Sequence, residues 1–209
     1  MKHRLSLRHR PAPLHANRGF ALITTLILLV VVTLLGIGAS QMVLLSERST
    51  RFDRDQQIAF QAAEAALIDA EFDIRGPNTS ATQRVAMFTG KADDKVNFVL
   101  GCGTGTSLGL CSDTLINNKP VWYGVEFTDA SAGAKTIKFG EFTGRTLSTG
   151  TTGIRPEMLP RYIIEAIDDK TPGSSSSSST PKILYRVTAM GFGPRKETQA
   201  VVQMIFRKE

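Results

Sequence analysis

The sequence predicts an α+β fold, a long N-terminal α-helix packed on an antiparallel β-sheet. Three observations predict it. No charged side chain occurs between Phe20 and Glu47, which makes the first half of the helix apolar enough to span a membrane. Ala59, Ala63, Ala66, Ala70 and Ile74 then recur at three- and four-residue steps, the signature of one buried helical face. Near the C-terminal end, three segments alternate with the two-residue period of strands.

The leader comes first. Of the formal charge of +6, five positive charges belong to Lys2, Arg4, Arg8, Arg10 and Arg18, and no Asp or Glu precedes Glu47. The remainder of the chain is close to neutral and offers no basic footprint for nucleic acid. His3, His9 and His15 also lie in the leader. Residues beyond Phe20 therefore carry no imidazole for general base catalysis or metal ligation. No small-molecule substrate and no cofactor is expected, and the chain does not read as an enzyme.

Cationic residues before an apolar run keep the amino end in the cytoplasm. The run from Phe20 to Leu45 would rise about 39 Å as a helix, more than the ~30 Å hydrocarbon core. Secretory h-regions are about 7–15 residues, so this run reads as a retained anchor. The segment 46–76 continues it with strong helix formers and no proline before Pro77. One helix of about 84 Å is expected over 20–75, with Gly76-Pro77 as its stop. Gly36 and Gly38 mark a point where it could bend.

From residue 77 onward, short extended segments alternate with Gly, Thr, Asn and Asp. Trp122–Thr128 alternates loosely, and Lys135–Phe142 contains a short strand-like piece; strands near 120–142 are expected at a sheet edge. Arg161–Ala166 reads as a half-buried strand with mixed faces. In the next segment Ile183, Tyr185, Val187 and Ala189 share one face. Ala200, Val202, Met204 and Phe206 do so in the last. The run "PGSSSSSST", Pro172–Thr180, separates two of these strands and reads as a hairpin loop.

Cys102 and Cys111 lie in "GCGTGTSLGLCSD". In an oxidising compartment they are expected to pair as a disulfide, since zinc would need more ligands than two cysteines without histidine. Asp93-Asp94 and Asp168-Asp169 could hold calcium, although adjacent acids in loops are commonly just solvated.

The combination resembles a known family. "RGFALITTLILLVVVTLLGIGA" looks like the class III leader and helix of type IV pilins, and "RDQQIAFQAAEAAL" resembles the PilX family of minor pilins more closely than major pilins. "PRYIIEAI" and "ILYRVTAMGFG" look like that family's closing strands. The resemblance implies a pilin-like fold. It divides the chain into a leader (1–19), a transmembrane or filament-core half-helix (20–45), an amphipathic half-helix (46–76) and a β-rich periplasmic domain (77–209). It implies cleavage by a prepilin peptidase between Gly19 and Phe20, and N-methylation of Phe20. It places the chain in the bacterial inner membrane as a single-pass protein, and then at the pilus tip on the cell surface. The implied function is priming of pilus assembly within a minor-pilin complex, with other minor pilins and a pilus-tip adhesin as partners. K-type pseudopilins of type II secretion, and a signal-anchored periplasmic binding protein, are the alternatives.

One position departs from the major-pilin pattern. Pilins usually carry Glu at the fifth mature position, and here that position is Thr24. In the family this carboxylate is thought to neutralise a neighbouring subunit's amine inside the bundle. A subunit lacking it has no acid to offer a neighbour above, which the resemblance associates with the tip.

Overall fold

The computed structural model describes residues 18–115, 118–150, 154–170 and 182–208. The leader before Arg18 and the serine run 172–180 lie outside the described residues. The chain divides into two compact units between Thr50 and Arg51. A single helix, α1, runs Arg18–Arg75, ending where Gly76-Pro77 predicts.

The end of α1 is satisfied by the residues that follow it and by one group from the far end of the chain. Gly76 takes φ +76, the left-handed conformation that glycine supplies cheaply. Its N–H and the side-chain amide of Asn78 both donate to the Phe72 carbonyl, at 2.7 and 2.8 Å. The Lys208 ammonium donates to the carbonyls of Ile74 (2.7 Å) and Val85 (3.3 Å). A cation there also answers the negative end of the helix dipole, while burial holds the Lys208 amine below its usual range.

In the second unit the alanine stripe packs on a five-stranded sheet. The strands are β1 (Leu110–Ser112), β2 (Ile137–Lys138), β3 (Arg161–Asp168), β4 (Ile183–Phe192) and β5 (Gln199–Phe206). β3, β4 and β5 form an antiparallel meander in unbroken register, Arg161 opposite Met190 and Phe192 opposite Gln199. β1 joins β3 in parallel, and β2 joins the same strand antiparallel at Tyr162 and Arg161. The three long strands agree with the alternation in the sequence, and β2 falls in the predicted edge region.

Small side chains on α1 let the helix approach β4 closely. Ala59, Ala63, Ala66, Ala70 and Ile74 are fully buried. Against them lie Tyr162, Ile164, Tyr185, Val187 and Ala189, with Phe88, Leu110, Ile137 and Phe142 closing the layer. Larger residues would hold the layers apart.

Two expectations are corrected. β3 is buried on both faces from Arg161 to Ala166, rather than half-buried. On the side away from the helix, Ile163 packs with Cys102, Cys111, Val121 and Phe127 in a second apolar cluster. Trp122–Thr128 is not a strand. Val121–Gly124 form a 3-10 turn after Pro120, whose φ of −59° sets its entry. That turn drops Val121 onto the sheet, and Phe127 follows below. The loose alternation reflects a segment folded over the sheet.

Candidate functional site

In the first unit, the chemistry-bearing feature is a long, uncharged and largely apolar surface. From Phe20 (72% exposed) through Leu45, the described large side chains of α1 point outward without covering. An 18-residue window reaches a mean hydropathy of 2.8 with none of it buried, so this helix is long and apolar enough to cross a membrane. Three threonine hydroxyls lie in the run, and each is consumed by its own helix. Thr24 donates to the Ala21 carbonyl at 2.9 Å, Thr25 to Leu22 at 2.9 Å, and Thr33 to Val30 at 2.8 Å. An unpaired hydroxyl in hydrocarbon would be costly, whereas a back-bonded one is tolerated. Gly19 and Phe20 sit in the first turn of α1, and no carboxylate accompanies them before Glu47.

In the second unit, the residues that fix the surface loops are buried acids on the helix and their partners. Asp73 and Arg84 form a salt bridge at 2.7 Å with side chains 0% and 1% exposed. The guanidinium also donates to the carbonyls of Thr106 and Leu108, each at 2.7 Å, and lies 3.7 Å over the Phe142 ring. Tyr162 donates its hydroxyl to Asp73 at 3.1 Å. Burial first, and Asp73 beside it, push the Tyr162 phenol well above its ordinary range. One helical turn away, Asp69 accepts from the Thr143 hydroxyl and from the Gly140 N–H at 2.8 Å. Asp94 accepts from the N–H groups of Thr89 and Gly90 and from the Tyr185 hydroxyl. On the sheet's far side Arg186 makes a two-pronged pair with buried Glu165, at 2.9 and 2.8 Å. A buried guanidinium–carboxylate pair repays its desolvation only when its hydrogen bonds are this complete.

Cys102 and Cys111 are joined in a disulfide, both fully buried in the far-side cluster. Three of the four acids considered for calcium are engaged with protein groups. Asp94 has the partners just given, Lys95 meets Asp168 at 2.7 Å, and Arg207 meets Asp169 at 2.9 Å. No group of three or more His, Cys, Asp or Glu suited to a metal is found among the described residues.

Sequence reasoning found the helix surface and the cystine but missed the buried acids. A signal existed. Asp69 and Asp73 fall between Ala66, Ala70 and Ile74 on the stripe, at spacings that place carboxylates on the buried face. Their partners, Arg84 and Thr143, could not be read from spacing.

A helix with a naked apolar first half, whose second half lies in the groove of a mainly antiparallel sheet, defines the class of pilin-like subunits. The chain belongs to the PilX family of type IV pilus minor pilins: the PilX N-terminal family matches residues 18–67, and the family described as "Type IV pilus assembly protein PilX C-term" matches residues 76–208. No curated protein and no solved structure matches the chain. The family is one of structural pilins, and its members work with other pilus components.

Proposed function

We propose that this minor pilin primes type IV pilus assembly within a complex of minor pilins, and that it occupies the tip of the fibre or a place near it. Residues 1–19 serve as a leader that the prepilin peptidase removes between Gly19 and Phe20, after which Phe20 is N-methylated. Residues 20–45 hold the chain in the inner membrane and later enter the filament core. Residues 46–76 and 77–209 form the periplasmic part that selects partners, among them other minor pilins and a tip adhesin.

The mechanism is an exchange of surroundings. Apolar side chains find nearly equivalent company in lipid and in a helix bundle, so packing detail sets the difference. The back-bonded threonines make that exchange without leaving their own hydroxyls unpaired. The single observation that carries the tip reading is Thr24. Its hydroxyl is spent on Ala21, and no carboxylate occupies the early helix. The subunit therefore has nothing to neutralise the amine of another subunit placed above it.

Mass spectrometry of the mature chain tests the reading. An N-methylated Phe20 terminus is expected. An intact Met1 species alone, in cells with an active peptidase, would refute it.

A further inference from the structure

We propose that the open edge of β5 takes one extended, uncharged segment of another fibre component as an added strand. This rests on the proposed role within the fibre for the partner's origin and for setting aside a second copy. The pairing itself follows from the ladder.

β5 is the last strand of the sheet, and among the described residues no strand pairs with its other side. The phase of the ladder shows which backbone groups are left over. Gly193 N–H donates to the Thr198 carbonyl at 2.8 Å, and Gly193 and Thr198 continue the register that sets Phe192 opposite Gln199. In an antiparallel pair each residue directs its N–H and C=O to the same side, and the side alternates. Thr198, Ala200, Val202, Met204 and Phe206 therefore bond to β4. Val201, Gln203 and Ile205 direct their backbone groups away from it. One independent bond agrees: the Gln199 carbonyl, of the outward set, accepts from the Gln56 side chain at 3.2 Å.

Edges of this kind are normally blunted by charge, proline, a bulge or a cover. β5 reads "QAVVQMIF", with no charge, proline or glycine, and pairs with β4 over eight residues without a bulge. Val201 is 48% and Ile205 62% exposed on the outer face. Between them Gln203 reaches back to the Thr188 hydroxyl at 2.8 Å. A neutral edge with outward N–H and C=O groups and flanking apolar side chains selects a strand with apolar residues at alternate positions. A second copy is the poorer occupant. Pairing β5 with β5 antiparallel requires a two-fold axis, which subunits with helices parallel in one bundle do not have.

Amide exchange on the full chain tests this, in detergent alone and in membrane-extracted complexes. Val201, Gln203 and Ile205 should exchange fast alone and at least tenfold more slowly in complexes. Ala200, Val202 and Met204 should be protected in both. Equal, fast exchange of the odd-numbered set in both states overturns the proposal. Gln203→Pro removes an outward N–H without touching the ladder to β4, and Gln203→Ala keeps that N–H. The proline variant should melt like the alanine variant yet lose at least tenfold in recovery with the complexes. Recovery equal to that of the alanine variant counts against the added strand. If the wild-type chain never enters sheared fibres, the proposed role fails, and exchange in the extracted complexes still decides the edge.

Discussion

Gly191 of β4 lies so close to Ala63 of α1 that a β-carbon built on it would stand 2.2 Å from the Ala63 backbone nitrogen and 2.1 Å from the Ala59 carbonyl oxygen. Helix backbone and strand backbone meet there with no side chain between them. The obstruction is main chain, so it cannot be relieved by a rotamer change.

Gly191→Ala should therefore force the helix off the sheet, at about 2–3 kcal/mol of stability. Urea unfolding of the full chain in detergent, followed by near-ultraviolet circular dichroism, reads the loss. An alanine at Gly36, where nothing lies within 4 Å, should leave the unfolding midpoint of the second unit unchanged.

Arg84→Met should destabilise the domain by about 3–5 kcal/mol, because Asp73 is left buried without its cation. The paired change Arg84→Met with Asp73→Leu should recover part of that loss, although the Tyr162 hydroxyl then loses its acceptor. A double-mutant cycle by thermal unfolding measures both. Additive losses would show that the two groups do not act as a pair.

Asp69 gives a pH dependence with a definite sign. Burial is the main cause that holds its carboxyl above the ordinary value of 3.8. Between 3.8 and its raised value, the folded chain keeps a proton that the unfolded chain releases. Its contribution is thus absent below the unfolded pKa and becomes unfavourable as pH rises through the folded one. Asp69→Asn can accept from Gly140 and donate to Thr143 without charge. This variant should be at least as stable as wild type at pH 7, and its stability should lack the decline that wild type shows as pH rises from 3.8 through the raised folded-state value.

Thr24→Glu should move the subunit away from the tip. A carboxylate early in the helix would give the amine of another subunit a partner, so the variant should be found along the shaft, and its copy number per fibre should rise. Immunogold labelling with quantitative proteomics of sheared pili checks this. Unchanged stoichiometry and position would show that the absent acid does not specify the place.

Much of the fold was legible because it rests on periodicity. The spacing of Ala59, Ala63, Ala66 and Ala70 shows which face of α1 is buried, and the parity of Tyr185, Val187 and Ala189 shows which face of β4 meets it. Parallel β1, Leu110–Ser112, was not legible, since a three-residue strand has too little repeat to read. The burial of β3 on both faces was hidden for another reason. It depends on a cover assembled from Cys102, Cys111, Val121 and Phe127, whose positions follow from turns and a cross-link. For the candidate site, Thr24 and the uncharged run needed only local sequence. The anchoring of Asp73 by Arg84 and of Asp69 by Thr143 needed the folded chain.

The seat of Lys208 on the carbonyl of Ile74, 134 positions upstream, sets a timetable for biosynthesis. At roughly 5–20 residues per second, the ribosome needs about 7 to 27 seconds to deliver the lysine after the helix end has been made. For most of that interval the helix waits without β3 and β4, the strands that will cover its stripe. Alanine gives stray apolar chains little to grip, so a stripe chosen for tight packing also makes the nascent rod a poor target for misassociation.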